Sequence, residues 1–143
     1  MKILECIDLA AAKSLLAEFN LVHEDLNAEM LNNFIGILDD KTLIGLIGVE
    51  YHHPFALLRS LAVKNTHRNK QIGHKLVEEL ENKLKSESIQ SIYLLTNTAE
   101  KFFSRLDYRV VERDLVPDEI RATKEFSQLC PASATVMLKD LIN

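Results

Sequence analysis

A short basic segment over residues 67–74, His-Arg-Asn-Lys-Gln-Ile-Gly-His, is the first part of this chain that predicts a chemistry. An apolar, strand-like run precedes it at residues 56–63, and leucine and valine recur at helical spacing after it. A turn that opens a helix presents free backbone N–H groups and the positive end of the helix dipole. Such a turn binds phosphate without requiring a particular side chain. The segment therefore predicts a site for a phosphate-bearing ligand.

Arg59 is the second residue that could do chemistry, because it interrupts the otherwise apolar run over residues 56–63. A charged side chain in such a run needs a partner. Its guanidinium could grip a substrate carboxylate or another oxyanion. The alternative is a buried structural ion pair, for which Glu50 is a candidate partner. No metal site is expected, because adjacent His52 and His53 would point to opposite faces of a strand and no ligand spacing is complete.

The elements that must position these residues alternate between strands and helices. Asp8 is expected to cap a helix that follows a first strand over residues 2–7. Residues 21–31 are ambiguous, with a short second helix as one option. The pattern predicts a mixed α/β sheet with both faces covered. The remaining expected elements are strands at 33–38, 42–51, 55–63, 92–96, 109–112 and 135–138, and helices at 73–87, at 99–106 and from Pro117.

Length and composition are typical of one globular domain spanning residues 1–143. Apolar residues make up 47% of the chain and charged residues 27%, an ordinary balance for such a domain. The net charge of −4 gives no support for a nucleic-acid or membrane-surface partner, and no apolar run is long enough for a membrane helix. Cys6 and Cys130 are too few for a disulfide framework, so a cytoplasmic protein with reduced thiols is expected.

Three segments together resemble a known family: Leu61-Ala62-Val63, then Arg68-x-x-Gln71-x-Gly73, then residues 99–108 (Ala-Glu-Lys-Phe-Phe-Ser-Arg-Leu-Asp-Tyr). Over about residues 34–108 the chain resembles the GNAT N-acetyltransferase superfamily, whose acyl-CoA loop has the pattern Gln/Arg-x-x-Gly-x-Gly/Ala. Within it, and through the tail at 126–134, the chain is most similar to the GNAT acetyltransferases associated with arsenic resistance. The resemblance implies a central mixed, mostly antiparallel sheet of about six to seven strands, with helices on both faces. Ala56–Val63 and Ser91–Thr96 would be its splayed parallel pair.

The resemblance also implies where acetyl-CoA binds. The backbone of Leu61 and Val63 would pair with the pantetheine arm as an added strand does. The loop N–H groups would hold the pyrophosphate, with added charge from Arg68 and Lys70. Thr96, Asn97 and Thr98 would hydrogen-bond the cofactor arm or cap the helix at Ala99, and the two roles are compatible. The expected cofactor-binding set is Leu61, Ala62, Val63, Arg68, Asn69, Lys70, Gln71, Ile72, Gly73, His74, Thr96, Asn97, Phe102 and Phe103.

Three positions depart from the family pattern. Gln71 stands where the first glycine is expected and His74 where the last small residue is expected, so only Gly73 remains. Glycine serves where a backbone approaches a ligand or takes a positive φ. Gln71 therefore predicts a different loop path or weaker cofactor binding, unless its φ is negative. Phe103 replaces a tyrosine of many members and cannot protonate a leaving thiolate, so another group or water would do so, or the thiolate would leave unassisted.

The implied reaction needs a base, because an amine with a pKa of about 10 is mostly protonated at neutral pH. Glu50 is the candidate, since it ends the apolar run Leu43–Val49 on the cleft side of the sheet. The alternative is a strand-end glutamate that faces water.

The expected function is acetyl-CoA-dependent acetylation of the primary amine of a small molecule, such as an amino acid or an amino-acid-like toxic compound, by direct attack in a ternary complex. One alternative is a protein or peptide N-acetyltransferase. Another is a catalytically degenerate acyl-CoA-binding module, which the residues at 71 and 103 keep open. A small-molecule amine is the expected partner. A homodimer is common in the family, although no motif here indicates one.

Overall fold

The computed structural model describes residues 2–5, 7–68, 71–124, 126 and 133–141, so Asn69, Lys70, Cys6 and Cys130 lie outside the described residues. Short 3₁₀ helices and turns separate the main elements. In chain order these are β1 (Lys2–Leu4), α1 (Leu9–Glu18), β2 (Phe34–Asp39), β3 (Thr42–His52), β4 (Phe55–Val63), α2 (Ile72–Ser86), β5 (Ser91–Thr96), α3 (Glu100–Ser104), β6 (Arg109–Val110), α4 (Asp118–Arg121) and β7 (Thr135–Asp140).

The described strands form a mixed, mostly antiparallel sheet of seven strands in the order β1-β2-β3-β4-β5-β7-β6. Strands β4 and β5 are parallel, and residues Phe55–Leu57 of β4 pair with residues Ser91–Tyr93 of β5. The fold class expected from the sequence is therefore confirmed. The chain divides into two compact units, a first unit of Met1–Glu50 with Leu58–Lys83 and a second unit of Tyr51–Leu57 with Leu84–Asn143. A single domain over residues 1–143 stays a prediction.

Helix α1 of the first unit begins as its sequence predicts. Asp8 is the N-cap, and its carboxylate accepts the N–H of Ala11 at 2.9 Å. Leu15 and Leu16 are buried in an apolar cluster with side chains of β2 and β3. Full burial of a leucine contributes about 1.5–3 kcal/mol, so this face, rather than helix propensity, holds α1 in place.

Helices α1 and α2 cover opposite faces of β3 within the first unit. Leu46 belongs to the cluster that buries α1, whereas its neighbour Gly45 faces Ile72 and Leu76 of α2. Adjacent residues of a strand point to opposite faces. A Cβ added at Gly45 would stand 3.1 Å from Leu76 and 3.2 Å from Ile72, so this glycine lets the start of α2 lie close to the strand.

Gly48 of β3 is required because the ring of Phe34 lies across it. The two residues pair in the β2–β3 ladder, and a Cβ at residue 48 would stand 2.3 Å from Cζ of the buried Phe34. We expect Gly48→Ala to lower the free energy of unfolding by about 1–3 kcal/mol, because the ring must move within a packed core. Urea unfolding measures the change. Gly36→Ala is the matched control, since its new Cβ would meet only flexible side-chain ends at 3.0 Å and beyond. Equal losses in the two variants would contradict this account.

The second unit is built on β5, β7 and β6. Strand β7 pairs antiparallel with β5 along six residues and with β6 along two. The side chains of Leu57, Tyr93 and Ile120 pack in a separate apolar cluster there. No helix in the described part of the chain is long and apolar enough to cross a bilayer.

Two strand predictions were wrong in extent, and the first of these strands, expected at residues 2–7, is limited to Lys2–Leu4. The sequence left residues 21–31 ambiguous. Residues 21–29 form no α-helix, and only a 3₁₀ helix follows at Met30–Asn33. The side-chain oxygen of Asn27 accepts the N–H of Met30 at 2.9 Å, the bond typical of a helix N-cap, so the helical turn begins only after Asn27. The strand expected at 109–112 is limited to Arg109–Val110, because the chain turns into a 3₁₀ helix at Arg113–Leu115.

Candidate functional site

The first group of candidate residues surrounds the start of α2 in the first unit. The carbonyl of Gln71 accepts the N–H of Lys75 at 3.0 Å, so Gln71 precedes the helix as its N-cap. The N–H groups of Ile72, Gly73 and His74 belong to the first turn, where a helix supplies them no acceptor. With the positive end of the helix dipole, they form a site suited to an anion.

Gln71 adopts the left-handed backbone conformation, with a φ of 57°. A negative φ, the condition under which the missing glycine would not matter, is therefore not met. This conformation costs a residue with a Cβ about 1–2 kcal/mol, because the Cβ crowds the following carbonyl. Gln71 thus makes a turn that suits glycine, at an energetic cost. Weaker cofactor binding stays a prediction.

Replacing Gln71 with glycine should relieve this strain. We expect Gln71→Gly to raise the free energy of unfolding by about 1 kcal/mol. Gln71→Ala is the matched control, because it removes the polar side chain and keeps the Cβ that causes the strain. Chemical denaturation of the three proteins compares them. A gain in Gln71→Ala as large as that in Gln71→Gly would show that the backbone conformation is not its source.

The residues that enter this turn are held by contacts within the first unit. His67 Nε2 lies 2.7 Å from a carboxylate oxygen of Asp39 at the end of β2. The Arg68 guanidinium stacks 5.0 Å above the ring centre of Phe19, and its Nε donates a long hydrogen bond of 3.4 Å to the carbonyl of Val63. The exposed guanidinium of Arg68 therefore lies against the end of α1 and the end of β4.

The candidate strand segment of β4 follows a second left-handed residue. Leu61 and Val63 are partly exposed, whereas Ala62 is buried in the cluster that holds α1. Ser60 before them has a φ of 63°, and its hydroxyl accepts the Nε–H of Arg59 at 3.0 Å. Left-handed residues within strands kink the strand, and such strained residues concentrate at functional sites.

The guanidinium of Arg59 is the centre of a buried ionic network. It forms a two-pronged pair with Asp25, at 2.5 Å to Oδ2 and 2.8 Å to Oδ1, and donates to Glu50 Oε2 at 2.9 Å. Its other N–H groups reach Ser60 Oγ at 3.0 Å and the carbonyl of Val22 at 3.4 Å. All five guanidinium N–H groups thus have acceptors. The ion pair with Glu50, the alternative left open by the sequence, is present, and substrate binding by Arg59 stays a prediction that would require one of these partners to yield.

Glu50 lies at the border of this network. Its side chain is 24% exposed, whereas that of Arg59 is fully buried. The carboxylate is therefore neither a fully solvated strand end nor a sealed core group. A carboxylate fixed at one oxygen and still reached by solvent can take a proton from a bound molecule.

Asp25 is the member of the network that the sequence did not reveal. It lies in the segment between α1 and β2, and its side chain is only 8% exposed. A signal did exist, because a buried arginine needs nearby carboxylates. However, Glu24 stands beside it, and the segment lacks the periodicity that would show which of the two points inward.

The candidates in the second unit have structural partners. The Thr96 hydroxyl accepts the N–H of Ala99 at 2.9 Å and so closes the turn before α3. The N-cap of α3 is Ala99, which has no side-chain capping bond, so the expected capping of this helix by Thr96 was wrong. Phe103 is buried, with its ring edge-on to those of Phe102 and Tyr108 at centroid distances of 5.1 and 5.3 Å. These rings form part of the apolar packing of the second unit.

Asn97 follows Thr96 directly after β5, and its contact with a cofactor stays a prediction, as do those of the other candidates at 61–63, 68–74, 102 and 103. Among the residues that the structure describes, no three histidine, cysteine or acidic side chains are grouped so that they could hold a metal ion. The candidate chemistry of the described chain therefore centres on Glu50 and the start of α2.

Comparison with known sequences identifies the family of this chain. Residues 31–110 match the family model of the acetyltransferase (GNAT) domain. An uncharacterized N-acetyltransferase of Chlorobaculum tepidum is 35% identical over 79 residues, which make up 54% of this chain. The aligned region covers 50% of that protein, so this chain spans about half the length of the curated relative that it matches.

Solved structures share the fold over nearly the whole chain. N-acetylglutamate synthase from Neisseria gonorrhoeae, complexed with coenzyme A and N-acetyl-glutamate, has a TM-score of 0.84 at 15% identity, over 99% of this chain and 35% of its own. An aminoglycoside 6'-N-acetyltransferase complexed with coenzyme A has a TM-score of 0.73 at 21% identity, over 100% and 98%. At these identities the likeness shows the fold alone. Because the family model spans more than half of the chain, the protein belongs to the GNAT acetyltransferase family.

Proposed function

We propose that this protein transfers the acetyl group of acetyl-CoA to the primary amine of a small molecule, by direct attack in a ternary complex, with Glu50 as the general base. The observation that carries the proposal is the position of Glu50, whose carboxylate is tied to buried Arg59 and still reaches solvent. A carboxylate in that position can accept the proton that an ammonium must lose before it attacks a thioester.

The start of α2 supports the donor side of the proposal. The first-turn N–H groups of residues 72–74 and the cation of Arg68 suit the pyrophosphate of coenzyme A. The partly exposed backbone at Leu61 and Val63 suits the amide groups of the pantetheine arm. Two proteins of the same fold were crystallised with coenzyme A, which favours acetyl-CoA as the co-substrate.

For the acceptor we propose an amino acid or an amino-acid-like toxic compound, which would make the reaction one of detoxification. The support is the resemblance of the chain, including its tail, to the acetyltransferases associated with arsenic resistance. The fold is also that of a protein complexed with N-acetyl-glutamate, an acetylated amino acid. The acidic net charge of −4 favours a small molecule over a nucleic acid or membrane partner.

A second candidate, an acyl-CoA-binding module without turnover, is favoured by one observation. Phe103 stands where many family members have tyrosine, and this buried residue has no hydroxyl of its own to protonate a thiolate. In an active enzyme, water or another group would do this, or the thiolate would leave without assistance.

Calorimetry with acetyl-CoA, followed by a thiol-release assay over a panel of amines, tests the proposal. The panel contains amino acids, arsenical and phosphorus-containing amino acids, and short peptides. We expect acetyl-CoA to bind and at least one small amine to be acetylated. Binding without turnover would favour the module, and turnover confined to peptides would favour a protein acetyltransferase. An absence of acetyl-CoA binding would overturn both the proposal and the module.

A further inference from the structure

The geometry points to Asp25 as a positioning residue that sets the Glu50 carboxylate through Arg59. This inference rests on the proposed role of Glu50 as the base. Asp25 itself is almost fully buried, so it acts through the arginine and not on a substrate. Its role would be to fix the direction in which Glu50 accepts a proton.

Asp25 holds the guanidinium of Arg59 through both of its carboxylate oxygens. Its two oxygens lie 2.5 and 2.8 Å from the two terminal nitrogens of Arg59. A two-pronged pair of this kind fixes the plane of the guanidinium as well as its position. The Nε–H bond to Ser60 Oγ fixes the opposite edge. The rigid group then directs a remaining N–H of Nη1 at Glu50 Oε2, 2.9 Å away.

Asp25 is itself held in place by the contacts of its neighbours in the chain. Leu26, the next residue, is buried in the apolar cluster of the first unit, and its N–H donates to the carbonyl of His23 at 3.1 Å. The ring nitrogen Nδ1 of His23 lies within hydrogen-bond distance, 2.9 Å, of the carbonyl of Leu21. The carboxylate of Asp25 thus lies in a turn that is anchored on both sides, and it can serve as a fixed reference point.

The bond from Arg59 gives the Glu50 carboxylate a fixed orientation. The last torsion of a glutamate side chain has a broad preference, so the side chain alone does not choose an orientation. The bond from Arg59 removes that freedom at one oxygen, while the side chain keeps contact with solvent. A base that is aligned before its substrate arrives has less to reorganise in the reaction.

A double-mutant cycle tests this chain of contacts with the best acceptor from the amine panel. Asp25→Asn keeps the size of the side chain and removes its charge and one of its two oxygens. We expect kcat to fall about 10-fold or more and the KM for acetyl-CoA to stay within about twofold. In a Glu50→Gln background the same change should cause no further loss of kcat. Glu18→Gln is the control, because it removes an exposed carboxylate of the first unit that pairs with Lys64 at 3.2 Å, and it should leave kcat unchanged.

Several results would overturn the inference. The first is an unchanged kcat in Asp25→Asn, and the second is independent, multiplying losses in the double variant. If Glu50→Gln alone leaves kcat unchanged, the proposed base fails and the inference fails with it. If no amine is acetylated, the proposed function fails, and a crystal structure of Asp25→Asn decides the positioning role instead. A Glu50 carboxylate in its wild-type orientation would then refute it, and a displaced one would support it. If Asp25→Asn does not fold, Asp25→Glu takes its place in both measurements.

Discussion

Glu50→Gln is expected to lower kcat for acetylation by about 10²- to 10⁴-fold, the usual contribution of a general base. The amide keeps the shape of the side chain and still accepts a hydrogen bond from Arg59, but it cannot take a proton. Binding of acetyl-CoA should be unchanged, because no step of donor binding requires this carboxylate. Thiol-release kinetics and calorimetry measure the two quantities separately.

The pH profile gives this prediction a second, independent readout. Without a base, the variant depends on the small fraction of amine that is already neutral in solution, and this fraction rises with pH toward the amine's pKa of about 10. The kcat/KM of Glu50→Gln should therefore climb through the alkaline range. An unchanged turnover with an unchanged pH profile would remove Glu50 from the mechanism.

Arg59→Met is expected to lower the free energy of unfolding by about 3–5 kcal/mol, a typical result of removing one partner from a buried ion pair. Asp25, 8% exposed, and Glu50 would be left close together without the cation that now lies between them. Urea unfolding at neutral pH measures the loss. If Arg59 served mainly to bind a substrate carboxylate, Arg59→Met would instead change the free energy of unfolding little and would strongly reduce the affinity for the acceptor.

Arg109→Met is the matched control for this substitution. Arg109 also pairs with a carboxylate, that of Asp140, at 3.1 Å, but the two side chains are 58% and 51% exposed. Pairs that are exposed to solvent contribute about 0–1 kcal/mol, so the control should lose little stability. Similar losses of unfolding free energy in the two variants would show that the buried network contributes no more to stability than the exposed pair does.

The sequence predicted the parts of the fold that depend on periodicity and on local capping. Helix α2 begins within one residue of its expected start, and Asp8 caps α1 with the expected hydrogen bond. The segment at residues 21–29 has no such periodicity, and its conformation depends on single bonds, such as that from the Met30 N–H to the Asn27 side chain. Its structure could not be predicted from pattern alone.

The candidate site was predictable where a residue type is unusual for its surroundings. Arg59 and Glu50 both stand out in apolar runs, and the ion pair between them was one of two alternatives. The partner Asp25 lies 34 residues before Arg59, and no local rule joins them. The positive φ of Ser60 was equally hidden, because serine does not favour that conformation, whereas the glycine that the family pattern expects at position 71 had indicated it for Gln71.

The network around Arg59 also limits how this chain can change over generations. A mutation at position 59 leaves two carboxylates without their common cation, and a mutation at Asp25 removes one of the two carboxylates that pair with the buried Arg59. Each single change is therefore harmful, while a coordinated replacement of all three charges by apolar side chains can be neutral for stability. Positions 25, 50 and 59 are therefore energetically coupled, and a substitution at one of them changes which side chains the other two can carry.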